Sequence, residues 1–141
     1  MRGNGAAAKT QNEPSTWDTF LISLRYKEGR VIELAGNNPI FLNNDEEVWF
    51  VYRGQADVFA SHMQDGIPVG ARTHLFRVAD RHALFGMDPS DGTLGLLVGG
   101  AQGTQLLRVS RADLETIGQD IEFADLVAMV LDGWITLLSS S

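Results

Sequence analysis

The sequence contains no cysteine, which excludes disulfides, a thiolate nucleophile and cysteine-ligated zinc. Basic residues are few: 11 Lys+Arg stand against 18 Asp+Glu, for a formal net charge of -7. They are scattered without a cluster, so the basic face on which nucleic-acid binding depends is missing. Long apolar runs are missing too. None reaches the roughly 18–20 residues of a membrane span, and the polar, Gly/Ala-rich N-terminus lacks the apolar region of a secretory signal. These absences lead to the expectation of a cytoplasmic protein, with no nucleic acid and no membrane insertion. No GxxxxGK[ST] phosphate loop, HExxH or nucleophile elbow occurs, so an enzyme reading has no catalytic residue to rest on.

What is present fits one domain of 141 residues. Two apolar runs rich in β-branched and aromatic residues, 48–52 and 56–60, meet at Arg53-Gly54-Gln55. They read as strands joined at Gly54 by a tight turn or bend that needs glycine's backbone freedom. Further short runs at 31–35, 40–42, 72–78, 83–86, 93–98 and 105–109 bring the total to about eight strands. Within residues 72–78, strict alternation places Thr73, Leu75 and Arg77 on one face and His74, Phe76 and Val78 on the other. Residues 62–70 read as a polar connection carrying the hairpin signal Asp65-Gly66. The 15 glycines suit the bends and bulges of such a fold. The expected class is mainly β: a jelly-roll-like β-barrel of about eight strands with C-terminal α-helices.

Three segments follow from this. Residues 1–14 are small and polar and are expected to be disordered. Residues 15–118 form the β-roll domain with short flanking helices, and residues 119–141 hold the C-terminal helix. Ser15 or Thr16 suits the cap of a helix over 17–26, although residues 19–24 fit a strand as well, and both remain open. Ser110 with Asp113 opens a short helix that Gly118 stops, and Asp120 caps a longer one over about 121–138.

That last helix has two apolar stripes instead of one. Ile121, Ala124, Ala128, Leu131, Ile135 and Leu138 form the first, and Phe123, Val127, Val130, Trp134 and Leu137 the second. An ordinary surface helix buries a single stripe. One stripe is expected on the roll. Either the other packs there and on the short helix as well, or, with Val127, Val130, Trp134 and Leu137 as its interface residues, it meets a partner, in the simplest case a second copy in a homodimer.

A β-roll followed by helices, with Val51-Tyr52-Arg53-Gly54-Gln55-Ala56-Asp57-Val58-Phe59 at its centre and Phe85-Gly86 further on, resembles the cyclic-nucleotide-binding domain family. The likeness spans residues 30–117 and ends in Leu106-Leu107-Arg108-Val109-Ser110, which runs into a helix. Val48-Trp49-Phe50-Val51, residues 72–78 and Leu131-Asp132-Gly133-Trp134-Ile135 also look like the degenerate cyclic-nucleotide-binding-like region at the N-terminus of bacteriocin-export ABC transporters. That likeness implies a transporter partner. In nucleotide-binding members a Glu follows the Phe-Gly pair and takes the ribose hydroxyl, and an Arg further on pairs with the cyclic phosphate. Here Met87 stands at the Glu position and Thr93 near the Arg position. No Lys or Arg occurs between His82 and Leu107, and Asp88 and Asp91 flank the segment.

Burying a phosphate without an opposing charge is costly. The resemblance therefore implies a non-catalytic regulatory or assembly module with a degenerate phosphate cassette, without a cofactor, that does not bind cAMP or cGMP tightly. The alternative is a receptor for a less anionic ligand, its pocket lined by Leu84, Phe85, Gly86, Met87, Thr93, Leu94 and Leu96.

The third reading, a cupin-like metal enzyme, needs a His-x-His pair, and none exists among His62, His74 and His82. No metal ligands are assigned. His62 reads as an exposed histidine of the connection, His74 as a satisfied and partly buried one, and His82 as solvated. Asp45-Glu46-Glu47 reads as a solvated acidic loop, and Gly99-Gly100-Ala101-Gln102-Gly103 as a β-turn connection.

Overall fold

The computed structural model describes residues 15–35, 38–87 and 94–140. The first element is a helix, α1 (Thr16–Tyr26). Ser15 caps it: its hydroxyl accepts from the Asp18 amide at 3.1 Å. Trp17, Phe20, Leu21 and Leu24 recur at helical spacing and are buried, which resolves the helix-or-strand choice. The expected disorder of residues 1–14 falls outside the described residues.

Eight strands follow: β1 (Arg30–Glu33), β2 (Ile40–Phe41), β3 (Glu47–Arg53), β4 (Ala56–Gln64), β5 (Ile67–Val78), β6 (Ala83–Phe85), β7 (Leu94–Gly100) and β8 (Gln105–Ser110). They form two antiparallel four-stranded sheets, ordered β1-β8-β3-β6 and β2-β7-β4-β5. This is the jelly-roll order expected from the strand spacing, built as two sheets and not as a closed barrel. Gly54 (φ 85) is a bend that carries the chain from one sheet to the other. Strand β3 pairs with β6 and β8, and β4 with β5 and β7.

The one connection that stays within a sheet is β4 to β5. Asp65 (φ 54) and Gly66 (φ 77) make its turn, as a two-residue hairpin of this kind requires. The strands extend through what reads as a polar connection, pairing His62 with Val69 and Gln64 with Ile67. Cross-strand bonding takes these residues into the ladder despite their polarity, because β5 lies at the sheet edge.

Val48, Trp49, Phe50 and Val51 are all buried, so both faces of β3 are covered. On one face Phe50 meets the rings of Trp17 and Phe20, centroids 5.9 and 5.6 Å away. Arg25 of α1 also donates to the Tyr52 hydroxyl at 3.2 Å. A helical layer thus rests on the first sheet, and each buried large side chain there contributes about 1.5–3 kcal/mol.

Two helices close the chain, α2 (Arg111–Gly118) and α3 (Ala124–Ser139). The Ser110 hydroxyl accepts from the Asp113 amide at 3.0 Å and caps α2 as expected. Helix α3 begins later than its sequence suggests. The Asp120 side chain accepts from the Glu122 amide at 3.0 Å, as a cap does, but what it opens is a turn over residues 121–123 that leads into α3.

The assignment of faces on α3 is reversed. Val130 and Trp134 are 1% and 4% exposed within the chain itself. The Trp134 ring lies 5.9 Å from Phe76 of β5 and 6.4 Å from Phe85 of β6. Val127 packs towards Gly118 of α2, and Val127 and Leu137 are half-buried. The four residues assigned to a partner therefore lie on the inward side. The outward stripe is the other one, with Ile121 93%, Ile135 51% and Leu131 45% exposed, and Met129, on the polar side of the helix, is 44% exposed. Two stripes of equal apolarity left the choice to the sheets, whose open edge at Phe76 and Phe85 takes an indole.

Candidate functional site

The pocket expected after Phe85-Gly86 is divided by the fold. Leu84 and Phe85 lie on β6, opposite Trp49 and Val48 of β3. Both are buried, with Trp134 against Phe85. Leu94 and Leu96 lie on β7 in the other sheet, opposite His62 and Ala60. Leu94 is exposed and Leu96 half-buried. Thr93, Asp88 and Asp91 fall outside the described residues.

The backbone amides of Gly86 and Met87 are both engaged. The Gly86 amide donates to the Glu47 carbonyl and the Met87 amide to the Leu42 carbonyl, both at 3.0 Å. A Cβ on Gly86 would collide with the Asn44 carbonyl oxygen, so glycine is required here by close approach. Asn44 in turn holds the loop: its side chain accepts from the Glu46 amide at 2.9 Å. Met87 is exposed and brings no charge. These two amides are thus held inside the fold and are not free to donate to a bound anion.

A second constellation was not legible in the sequence. Asp57 of β4 stands opposite Arg77 of β5, and the Arg77 Nε donates to its Oδ1 at 2.9 Å. His74 Nε2 lies 2.9 Å from the same oxygen. Strict alternation puts His74 on the opposite face, with Phe76 and Val78. A register shift between Val58 and Phe59 pairs Phe59 with His74 instead. This leaves Leu75 as the extra residue of a bulge and turns the imidazole towards Asp57. The His74 side chain is 49% exposed, so it is more open than its sequence setting suggests. The Phe59 and His74 rings meet edge-on at 5.3 Å. Burial alone would raise the Asp57 pKa, but the hydrogen bonds from His74 and Arg77 and their charges outweigh it, and the carboxyl is held below its ordinary value.

Asp57 and Arg77 line one side of a cleft of about 420 Å³, with Gly54, Gln55 and the 101–104 connection on the other. That connection is the β-turn expected: the Thr104 amide donates to the Ala101 carbonyl at 3.1 Å, and Gly103 has φ 94. The cleft offers a fixed carboxylate and a paired guanidinium. Among the described residues no three His, Cys, Asp or Glu side chains are grouped to hold a metal ion. Among them, too, no helix is long and apolar enough to cross a membrane.

Two four-stranded sheets in jelly-roll order, followed by two helices with the last packed on the sheet edge, match solved structures in fold. This is the fold of the cyclic-nucleotide-binding domains. A mutant of CooA from Carboxydothermus hydrogenoformans aligns with TM-score 0.56 at 15% identity, over 82% of this chain and 72% of that one. The catabolite activator protein of Thermus thermophilus aligns with TM-score 0.54 at 18% identity, over 89% of this chain and 54% of that one. The c-di-GMP-responsive regulator CLP of Xanthomonas campestris gives 0.57 at 12%, over 87% and 58%.

These neighbours are cyclic-nucleotide-binding domains of the CRP/FNR family. The chain spans little more than half the length of the last two. No family model matches the sequence, and no curated protein matches it either. The cyclic-nucleotide-binding fold therefore rests on shape. Val48, Trp49, Phe50, Val51, Val58 and Trp134, which carry much of the likeness to export transporters, are buried core positions of this fold.

Proposed function

We propose that the chain is a non-catalytic, cyclic-nucleotide-binding-like regulatory domain that does not hold cAMP or cGMP tightly and that acts through assembly on its C-terminal helix. One observation carries the reading: the amides of Gly86 and Met87 are bonded within the fold, on a stretch of sequence without Lys or Arg from 83 to 107. A cyclic phosphate placed there would lose its water and gain neither a cation nor these donors. The acidic balance of the chain supports a role without direct nucleic-acid contact.

The fold itself does not dictate the effector. Among its neighbours one is named as a CO-dependent transcription factor, one as c-di-GMP responsive, and one was solved with o-chlorophenolacetic acid. Loss of nucleotide binding is therefore compatible with a regulatory role. Calorimetry with cAMP and with cGMP tests the reading. The expected result is no saturable heat up to about 1 mM nucleotide; a micromolar dissociation constant for either would defeat it.

A further inference from the structure

Helix α3 presents an outward apolar stripe of Ala124, Ala128, Leu131 and Ile135, about one helical turn between neighbours. Ala128, Met129, Leu131, Asp132 and Ile135 line a shallow cleft of about 520 Å³ along it. Asp125 and Asp132, seven residues apart, border the stripe on one side. Neither carboxylate makes a hydrogen bond or ion pair with any described residue. From residue 112 to the end the chain carries six carboxylates, at Asp113, Glu115, Asp120, Glu122, Asp125 and Asp132, and no Lys, Arg or His.

We propose that this face binds a basic amphipathic helix of another protein, its apolar residues on Leu131 and Ile135 and its Lys or Arg opposite Asp125 and Asp132. The proposal rests on the assembly role given to α3 above and names the chemistry of the occupant. Charge decides between occupants. A second copy would bring an equally apolar α3, and a contact of α3 on α3 would give the border carboxylates no Lys, Arg or His from either helix. An anionic bilayer would repel the same border, because interfacial helices anchor through Lys and Arg on their polar face. A helix with cations about two turns apart answers both the stripe and the border.

The test uses the full chain and a synthetic Leu/Lys amphipathic peptide of about 18 residues, long enough to span α3. Two control peptides have Glu in place of Lys or the same composition scrambled. Binding is read by fluorescence anisotropy across salt concentrations. The expected result is saturable binding of the Leu/Lys peptide alone. It weakens about tenfold or more in Leu131→Ser/Ile135→Ser, and it weakens and loses most of its salt dependence in Asp125→Asn/Asp132→Asn. Asp45→Asn/Glu46→Gln, which removes two acids far along the sequence in the β2–β3 loop, leaves it unchanged.

Equal loss in that control would mean unspecific charge attraction and would overturn the proposal, as would binding that ignores both α3 variants. Sedimentation of the unliganded chain closes the other route. A dimer that Leu131→Ser/Ile135→Ser dissociates gives the face to a second copy and also overturns it. Nucleotide calorimetry on the same preparation reads the Gly86 side independently, so failure here and failure of the proposed function are told apart.

Discussion

The Thr104 hydroxyl donates to the Gln55 carbonyl at 3.1 Å, and this bond ties together two of the corners at which the chain changes sheets. Thr104 is buried. Its carbonyl also accepts from the Leu34 amide at 2.8 Å, so a third corner, after β1, is fastened to the same residue. Gly54 and Gly100 are both closed in around it. A Cβ on Gly54 would stand 2.8 Å from Thr104 Oγ1, and one on Gly100 2.9 Å from the Gln55 carbonyl oxygen.

Thr104→Val keeps the shape and removes the donor, leaving the Gln55 oxygen without this partner. The expected loss is about 1–3 kcal/mol, read as a lower urea midpoint with an unchanged slope. Thr104→Ser keeps the hydroxyl and should recover most of that loss. Equal destabilisation by both would show that the methyl group, and not the bond, matters.

Gly86 and Gly66 make a contrasting pair. Gly66 has positive φ and open space around it, so Gly66→Ala should cost only the backbone strain, about 1 kcal/mol. At Gly86 the added methyl meets the backbone of Asn44, and a backbone cannot rotate away as a side chain does. Gly86→Ala should cost more than about 3 kcal/mol or prevent folding. Denaturation of the two variants side by side checks the order.

Much of the scaffold was legible because its signals are local. Ser110 announces its helix, Asp65-Gly66 its hairpin, and the β-rich runs between them the sandwich, while the segment after Ser15 reads as helix or strand until its buried face is seen. Two other features were hidden by being relational. His74 reads as facing Phe76 and Val78 until the bulge at Leu75 turns it, and a bulge depends on the partner strand's pairing. The two stripes of α3 differ little in apolarity, so only the position of Phe76 and Phe85 decides that Trp134 points inward. The Phe85-Gly86 pair was found from its pattern, whereas the use of the Gly86 and Met87 amides by Glu47 and Leu42 requires the β2–β3 loop to be in place.

The pH dependence expected at Asp57 follows from its lowered pKa. A carboxyl near 4 in the unfolded chain and lower in the folded one contributes stability that is present above the unfolded value. That contribution is lost as the pH falls through the folded value. Asp57→Asn cannot ionise and lacks it throughout. The gap in urea midpoint between the parent chain and Asp57→Asn should be present at about pH 5 and should narrow as the pH falls below about 4. A gap that widens on acidification would reverse the sign and refute the assignment. High salt should reduce the gap, because Arg77 and His74 are both substantially exposed.

Adjacent residues of α3 give the sharpest test of which side of the helix is which. Trp134 is buried between Phe76 and Phe85, and its neighbour Ile135 is half in solvent. Trp134→Ala removes a large side chain from a packed edge and should cost about 3–5 kcal/mol. Ile135→Ala removes a more exposed one and should change stability by no more than about 0.5 kcal/mol. If the helix were turned the other way, the two values would be exchanged. The indole also supplies its own reporter. Trp17, Trp49 and Trp134 are all buried, so Trp134→Phe should lower the blue-shifted emission of the native state without shifting its wavelength, and Ile135→Ala should leave the spectrum as it is. A red shift on Ile135→Ala would mean that the outward stripe shields Trp134 in the folded chain, and the two faces of α3 would then be coupled through the helix.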